Sequence, residues 1–384
     1  MISKIGKASK LHALKRQFGV GLIEIMVGLA LGLLITLIIT QVWGNFESQK
    51  QRSVSGSSAQ ENGLLALTEL EQDIRMSGAG LTDPAAFDCT TVFSYYETGG
   101  TSVSPVPAYA GGVAMAPVQI SDGGLGSDTL LVKRGADLLG SLPATIAEAM
   151  PSSSAELKMS STAGFSDGDK VVAIDRLTGK CTIMLITQVQ GAAVKLQHNP
   201  GGTTTYNPTV SYQNANGWPA FDAGAKVLKI GDLISHSYTT NASAELIMTD
   251  FSNPNSSPAI TLASDIVKLK AQYGIASASG QDVNDWVDAS VASGWNTLDT
   301  AKVKRIKAIR LVIVARSSKQ EASNVTAPCT NVSGGVNNGP CAWIDSLVDP
   351  APIIDLSENS SWRKYRYKVY QTIIPIRNVI WAGV

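Results

Sequence analysis

The sequence predicts an α+β protein: one long N-terminal helix packed on a large, mostly antiparallel β-rich head. Near the N-terminus, residues 25–46 are apolar or uncharged polar without interruption. The chain then stays free of proline as far as Pro84, which allows a single helix to continue beyond the apolar run. From about Leu81 onward, short alternating segments are separated by Gly, Pro, Asn and Asp clusters, the pattern of strands and turns.

The overall charge is balanced but unevenly distributed. The 384 residues include 31 Lys plus Arg and 31 Asp plus Glu, which excludes an overtly basic nucleic-acid binder and an acidic disordered tail. Five of the basic residues precede Gly19. The rest of the chain therefore has 26 basic and 31 acidic residues, a net charge of −5. The sequence therefore combines a basic N-terminal segment, residues 1–19, with a mildly acidic remainder.

The apolar run predicts a membrane-spanning helix over residues 20–44, because a helix needs about 20 apolar residues to cross a bilayer. Basic residues stay on the cytoplasmic side, so the rest of the chain should face outward. Glu24 lies in the first turn of this run, where a charged group costs about 2.5–3.5 kcal/mol, which makes it a functional candidate. The alternative is an ordinary signal anchor with Glu24 near the membrane surface.

Residues 45–80 predict an amphipathic extension of the same helix. Leu64, Leu67, Leu70 and Ile74 recur at helical spacing, and this face should lie on the head. Gly78 and Gly80 supply the helix end. Three glycines within the helix, Gly44, Gly56 and Gly63, each weaken it by about 1 kcal/mol, so we expect bends or melted stretches there.

The four cysteines, Cys89, Cys181, Cys329 and Cys341, form no CxxC pair, which argues against a zinc ribbon or a thioredoxin-like site. Their even number fits two disulfides in an oxidising compartment. Three pairings are possible; the short Gly- and Asn-rich loop favours Cys329 with Cys341, and Cys89 with Cys181 follows by elimination. Four free buried thiols are the alternative.

Residues 81–384 predict the β-rich head. Apolar residues from Val267 to Ile275 alternate with Lys268, Lys270 and Gln272, as in a half-buried antiparallel strand, whereas 309–314 read as a central strand. Pro375 places the last strand, 365–376, at an edge or gives it an early end. Further strands are expected at 128–133, 170–175, 181–189 and 192–196, with the last two forming a hairpin around Gly191.

The basic leader, Gly19, and Glu24 five residues after it resemble the class III signal of type IV prepilins and pseudopilins. The resemblance implies that a membrane-embedded prepilin peptidase cuts between Gly19 and Val20 and methylates Val20. The family most often has Phe where this chain has Val20. The resemblance also implies that Glu24 pairs with the N-terminal ammonium of a neighbouring subunit and so sets the assembly register.

Five later segments resemble minor pilins of the PilW type: 67–78, 126–132, 267–274, 310–316 and the pair Arg377-Asn378. The resemblance implies a minor pilin that primes type IV pilus assembly within a tip complex. Its implied partners are the prepilin peptidase, other minor pilins, the major pilin, a PilY-type tip adhesin and inner-membrane lipid. The chain would then be a single-pass protein of the bacterial inner membrane with a periplasmic head, and part of the pilus tip after assembly.

The nearest rival is the large J-type minor pseudopilin of a type II secretion system, which shares the leader, the helix and a β-rich head. An enzyme is not expected, because the sequence lacks GxSxG, HExxH and Walker motifs, and Gly123–Gly126 reads as a loop. We therefore expect no cofactor and no metal, although four turn-like aspartates leave a calcium site open: Asp122, Asp128, Asp167 and Asp169.

Two other groups of residues suggest partner binding, and each also has a simpler structural explanation. Four tryptophans fall in loop-like stretches, where they either contact a partner or pack in the core or at a strand edge: Trp218, Trp286, Trp295 and Trp343. The basic residues at 302, 304, 305 and 307 either contact DNA or form a solvated strand flank. Because the exported part is acidic, we expect no nucleic-acid partner.

Overall fold

The computed structural model describes Gly19 and residues 21–81, 83–110, 113, 115–136, 142–201, 205–332, 334–343 and 350–381. The chain divides into two compact units, Met1–Val54 and Ser55–Val384. In the first unit the described part is helical from Leu22 onward. The second unit holds the end of that helix together with the strands and short helices of the head.

The N-terminal helix α1 covers Leu22–Met76 without interruption. The prediction of melted stretches at Gly44, Gly56 and Gly63 was therefore wrong, because about 1 kcal/mol per glycine is too little to interrupt a long helix whose neighbouring residues favour it. The helix ends at Met76, and Gly78 follows in a left-handed conformation with φ 73°, as the glycine signal predicted.

The face of α1 that packs in the head differs in part from the predicted leucine stripe. Leu70 and Ile74 are buried as expected and Leu67 is partly buried, but Leu64 is 57% exposed. The rest of the buried face is mostly small: Ser55, Ala59, Gly63 and Ala66, with one carboxylate, Asp73. Small residues let the helix approach the sheet closely, which a leucine at each position would prevent.

The head is built from short strands, most of them antiparallel. Strands β1 to β7 are Thr91–Phe93, Tyr96–Thr98, Thr101–Val103, Val118–Ser121, Thr129–Gly135, Ala144–Thr145 and Leu157–Lys158. Strands β8 to β14 are Lys170–Asp175, Lys180–Leu185, Gln188–Gln190, Lys195–Gln197, Lys226–Lys229, Leu233–Thr240 and Glu245–Asp250. Strands β15 to β21 are Ala259–Ser264, Ile266–Ile275, Asp285–Asp288, Ile306–Arg316, Cys329–Thr330, Val336–Asn337 and Tyr367–Pro375. The short helices α2 to α4 are Val210–Ala215, Thr300–Arg305 and Arg377–Trp381.

Two antiparallel sheets share a core with the end of α1. One has the order β15-β14-β13-β5-β4 and the other β17-β16-β18-β21. Strand β18 lies between β16 and β21, as the central strand was predicted to, and β21 is an edge strand that ends at Pro375. The α+β fold predicted from the sequence is confirmed.

A small β-barrel is inserted between two neighbouring strands of the first sheet. Strands β5 and β13 pair directly, Gly135 opposite Leu233, although the chain between them runs through residues 136–232. In this insertion β8 pairs with β9, β9 leads into β10, and β10 pairs with β11. Strand β11 pairs with β7, a bridge joins β7 to β6, and β6 and β12 return the ring to β8. The predicted single strand at 181–189 is thus two strands, because the barrel wall bends between β9 and β10.

The barrel has its own interior and also packs on the head. Along β8, Val171 and Ala173 belong to the barrel core, whereas Val172 and Ile174 belong to the main core of the head. This follows from the alternation of side chains in a strand. Each face of β8 is therefore covered, and the barrel is held to the head by apolar contact.

The predicted half-buried strand, β16, is covered on both faces, so that expectation was wrong. Lys268, Lys270 and Gln272 are only 3%, 4% and 0% exposed. The loop before β5 covers the two lysines: Lys268 Nζ donates to the Leu125 carbonyl at 2.8 Å, and Lys270 Nζ bonds the Asp128 carboxylate at 2.7 Å. On the same face of neighbouring β18, a separate apolar cluster includes Ile354, Leu356 and Trp362.

Candidate functional site

The first candidate site is the start of α1. The structure describes Gly19, whereas Val20 and residues 1–18 lie outside the described residues. The Gly21 carbonyl accepts hydrogen bonds from the Glu24 N–H at 2.9 Å and the Ile25 N–H at 3.2 Å, which begins the helix. Glu24 therefore lies in the first helical turn, five residues after Gly19.

An apolar surface surrounds the helix beyond Glu24. Large side chains from Leu22 to Phe46 are more than half exposed on every side of the helix. This helix is long and apolar enough to cross a membrane by length and composition. A helix that is apolar all round needs lipid or other apolar helices as its surroundings. The segment is thus suited to a bilayer or to a bundle of like helices.

The second candidate site is the junction of α1 with the head, centred on Asp73. The Asp73 carboxylate accepts hydrogen bonds from His236 Nδ1 at 2.9 Å and from the Tyr238 hydroxyl at 2.8 Å, both on β13. Arg134 Nε on β5 donates to it at 3.4 Å. One carboxylate on the helix is therefore held by three side chains from two neighbouring strands.

The electrostatics of this junction favour an ionised Asp73. Burial acts to raise the pKa of Asp73, but the hydrogen bond and charge of His236, with help from Tyr238 and Arg134, lower it overall. Burial and the nearby Asp73 carboxylate raise the pKa of Tyr238, so its hydroxyl stays protonated and donates. The cluster thus acts as a charged clamp between α1 and the sheet.

Backbone contacts hold the end of α1 beside the clamp. The Gly78 N–H donates to the Lys133 carbonyl at 2.8 Å, and the Gly135 N–H donates to the Ala79 carbonyl at 2.7 Å. Asn378 Nδ2, on α4, donates to the Ser77 carbonyl at 2.8 Å. These bonds satisfy carbonyl and N–H groups that a helix end leaves free, and they join it to β5 and α4.

Upstream, the same helix touches the edge strand β21. The Tyr370 hydroxyl donates to the Gln60 carbonyl at 2.9 Å. A Cβ added at Gly63 would lie 2.1 Å from the ring of Tyr370, so this glycine is what allows the ring to lie against the helix. Ser55 Oγ, a helical turn earlier, accepts from the Lys319 N–H at 3.2 Å. The head therefore contacts α1 from Ser55 to Met76.

Two disulfides are present, Cys89–Cys181 and Cys329–Cys341. These are the pairings that the short loop and elimination favoured, and all four cysteines are used. Cys89 follows the 3-10 helix Pro84–Asp88, and Cys181 lies on β9, so the first bridge joins the segment between α1 and β1 to the barrel. The second closes the loop that contains β19 and β20.

The four tryptophans of interest pack within the head. Trp286 and Trp343 lie over the buried guanidinium of Arg310, at 4.9 and 5.2 Å. Trp295 is buried, and Trp218 makes an edge contact with Phe93 at 5.2 Å between ring centroids. Packing in the core or at a strand edge, the simpler prediction, therefore accounts for their positions.

The basic cluster forms the short helix α3 and its end rather than a solvated strand flank. Lys304 Nζ bonds the Asp88 carboxylate at 2.9 Å, Lys302 donates to two loop carbonyls, and Arg305 donates to the Ala276 carbonyl. Lys307 is buried, and burial lowers its pKa. The predicted flank was wrong because these cations are tied into the fold.

The four aspartates considered for calcium are each used within the fold. Asp128 bonds Lys270, and Asp169 bonds Lys229 Nζ at 3.0 Å. Asp167 accepts from the Val189 N–H and Asp122 from the Gly124 N–H. Within the described ranges, no group of three or more His, Cys, Asp or Glu side chains is arranged to hold a metal ion.

Sequence reasoning missed the Asp73 clamp. A signal was available, since Asp73 shares its helical face with Leu70 and Ile74, where a carboxylate needs a partner. The partners themselves, on β5 and β13, are set by the tertiary fold and could not be read from local spacing.

These features define a class of protein: a β-rich head on a single N-terminal helix whose first part is apolar enough for a membrane. Residues 234–378, from β13 to α4, match the family model of PilW, type IV pilus-assembly protein W. This part of the head is therefore similar to the PilW family, as the sequence resemblance predicted. No curated protein and no solved structure gives a significant match.

The matched region includes His236 and Tyr238 of the clamp and Tyr370 against Gly63. It excludes the barrel insertion, which ends before β13. The matched region thus supplies part of the surface of the head that contacts α1.

Proposed function

We propose that this protein is a minor pilin that primes type IV pilus assembly as part of a minor-pilin complex at the pilus tip. The observation that carries the proposal is one chain with both parts: a PilW-type head and an exposed apolar helix that begins between Gly19 and Glu24. It is not an enzyme in this proposal but the substrate of one.

Prepilin peptidase would remove residues 1–19 at the cytoplasmic face and methylate the new N-terminal amine of Val20. The removed leader takes five basic residues with it, and the mature chain carries a net charge of −5.

Glu24 would set the axial register of the incoming subunit. In a dry helix bundle a lone carboxylate is costly, and the ammonium group of a neighbouring subunit is the partner that offsets this cost. Helices that are apolar all round otherwise slide past each other with little preference. One charge pair per subunit would therefore fix the axial position at which the incoming helix packs in the bundle.

The test is Glu24→Ala in cells that assemble pili. We expect the variant to be inserted and cleaved normally but incorporated into pili poorly. Glu47→Ala, on the same helix beyond the apolar run, is the matched control and should be incorporated normally. Normal incorporation of Glu24→Ala would overturn the register role.

The proposed location is the bacterial inner membrane before assembly, with the head in the periplasm, an oxidising compartment that suits two disulfides. Its partners would be the peptidase, other minor pilins, the major pilin and a PilY-type tip adhesin. A tip position is supported by the barrel insertion, which enlarges the head beyond what a uniform shaft would repeat. Immunogold label spread evenly along purified fibres would count against the tip.

The alternative function, a J-type pseudopilin of a type II secretion system, shares the helix and the head class. The PilW match favours the pilus. Deletion of the gene should abolish twitching motility and leave exoprotein secretion intact; the reverse outcome would favour the secretion system.

A further inference from the structure

A small polar cavity lies where α2 meets the wall of the barrel. Its volume is about 10 Å³, and its lining includes Thr182 of β9, Gln213 of α2, His198, Asn207 and Trp218. Thr182 and Gln213 are 3% and 2% exposed, so their side chains are shielded from bulk solvent. A cavity of this size has room for about one water molecule.

Two oxygens on this lining lack a protein partner. Thr182 Oγ1 and Gln213 Oε1 are both buried and accept or donate no hydrogen bond within the part of the chain that the structure describes. Buried polar atoms are nearly always hydrogen-bonded, because leaving one unpaired forfeits its hydration. Two such atoms on one small cavity therefore point to a shared ligand.

Three neighbouring polar side chains, those of Gln213, Asn207 and His198, already make hydrogen bonds to backbone groups. Gln213 Nε2 donates to the Pro208 carbonyl at 2.9 Å, so an amide flip that would turn Nε2 to the cavity would break this bond. Asn207 uses both ends of its amide on Leu185, at 2.8 and 2.9 Å. His198 Nε2 bonds the Ala155 carbonyl at 2.7 Å, and burial lowers the pKa of His198, which keeps the ring uncharged.

We propose that one ordered water molecule occupies this cavity and bridges Thr182 to Gln213. The water donates one hydrogen bond to Gln213 Oε1 and either donates to or accepts from the Thr182 hydroxyl. A hard metal ion does not suit the site, because calcium takes six or more oxygen ligands and magnesium demands six, several of them charged. Two neutral oxygens and a space of one water fit water instead.

The water bridge would help to hold helix α2 against the barrel. Helix α2 has six residues, too few to be stable alone, and depends on its surroundings for its position. Thr209 caps its first turn by accepting from the Tyr212 N–H at 3.3 Å. The water adds a link from α2 to β9, the strand that also holds Cys181. The water thus joins helix α2 to strand β9, which the Cys89–Cys181 disulfide also holds.

The test is a crystal structure of the full-length protein in detergent, at a resolution that shows ordered water. We expect one peak within hydrogen-bond distance, about 2.7–3.2 Å, of both Thr182 Oγ1 and Gln213 Oε1. Thr182→Ser should keep the peak, and Thr182→Val, which has the same shape without the hydroxyl, should lose it. Thr261→Val, on the exposed strand β15, is the matched control and should leave the peak unchanged.

Hydrogen exchange gives a second readout in solution. Amide exchange across α2 should be several-fold faster in Thr182→Val than in Thr182→Ser. A wild-type map without the peak, a peak that contacts only one of the two oxygens, or equal exchange in the two variants would each overturn the proposal. Should Thr182→Val fail to fold, the wild-type and Thr182→Ser maps still decide it.

Discussion

The charged clamp at Asp73 should be a principal contributor to the docking of α1 on the head. Replacing Asp73 with Ala removes one acceptor from three donors at once, those of His236, Tyr238 and Arg134. The variant leaves these groups in a partly dry junction with no carboxylate to bond. We therefore expect a marked loss of stability with no change in the apolar part of the helix.

The magnitude follows from burial. Removing one partner of a buried ion pair costs about 3–5 kcal/mol. Because the side chains of Arg134 and His236 are 20% and 18% exposed, water screens part of the interaction, and the lower end of that range applies. The lost hydrogen bond from Tyr238 adds about 1 kcal/mol. The free energy of unfolding of the head should thus fall by about 3–4 kcal/mol in Asp73→Ala.

The same clamp should depend on pH in a defined direction. Its partners lower the pKa of Asp73 below the ordinary value of 3.8. A carboxyl with a depressed pKa stabilises the fold above its unfolded pKa, and the contribution is lost as the pH falls through the folded value. The stability difference between wild type and Asp73→Asn should therefore be present above about pH 4 and shrink as the pH falls below it.

Thermal unfolding of the full-length protein in detergent, followed by tryptophan fluorescence, measures both effects. At about 2 °C per kcal/mol, the melting temperature of Asp73→Ala should fall by roughly 6–8 °C. Glu61→Gln, an exposed acid on the same helix, is the control and should melt like the wild type. If Asp73→Ala melts within about 1 °C of that control, the clamp does not hold the helix and the reasoning fails.

Two further predictions concern other contacts of α1 and the barrel. Gly63→Ala should destabilise the head by about 1–3 kcal/mol, because its Cβ would meet the Tyr370 ring at 2.1 Å; Tyr370→Ala in the same chain should relieve most of that loss, and additive effects in a double-mutant cycle would refute the contact. Replacing Cys89 and Cys181 with Ser opens a link between positions 92 residues apart and should cost roughly 4–5 kcal/mol, against roughly 3 for the 12-residue link of the other bridge. Denaturant unfolding of both double-serine variants tests this order, and thiol titration of the denatured, unreduced wild type should find no free thiol.

Local pattern was enough to predict the elements that local physics decides. The uncharged run from Ile25, the proline-free stretch after it and the glycine at position 78 predicted α1 and its end. The segment 309–314, apolar except for Arg310, predicted a central strand because a strand covered on both faces needs no polar side.

Features that depend on distant parts of the chain could not be predicted from local sequence patterns. The closed barrel uses the same alternation as an open sheet, and its closure rests on pairings such as β6 with β12. Alternating lysines predicted a solvent face on β16, but the loop before β5 supplies buried acceptors for them. The Asp73 clamp was not predicted for the same reason, since its partner His236 is 163 residues away in the sequence.

The central claim is that the chain is a prepilin processed at Gly19, and the mass of the mature protein tests it most directly. Intact-mass and N-terminal peptide measurements on protein from cells with an active prepilin peptidase should find a chain that begins at methylated Val20. The same strain without the peptidase should retain residues 1–19. An intact Met1 in the peptidase-positive strain, or a cut at another position, would contradict the claim.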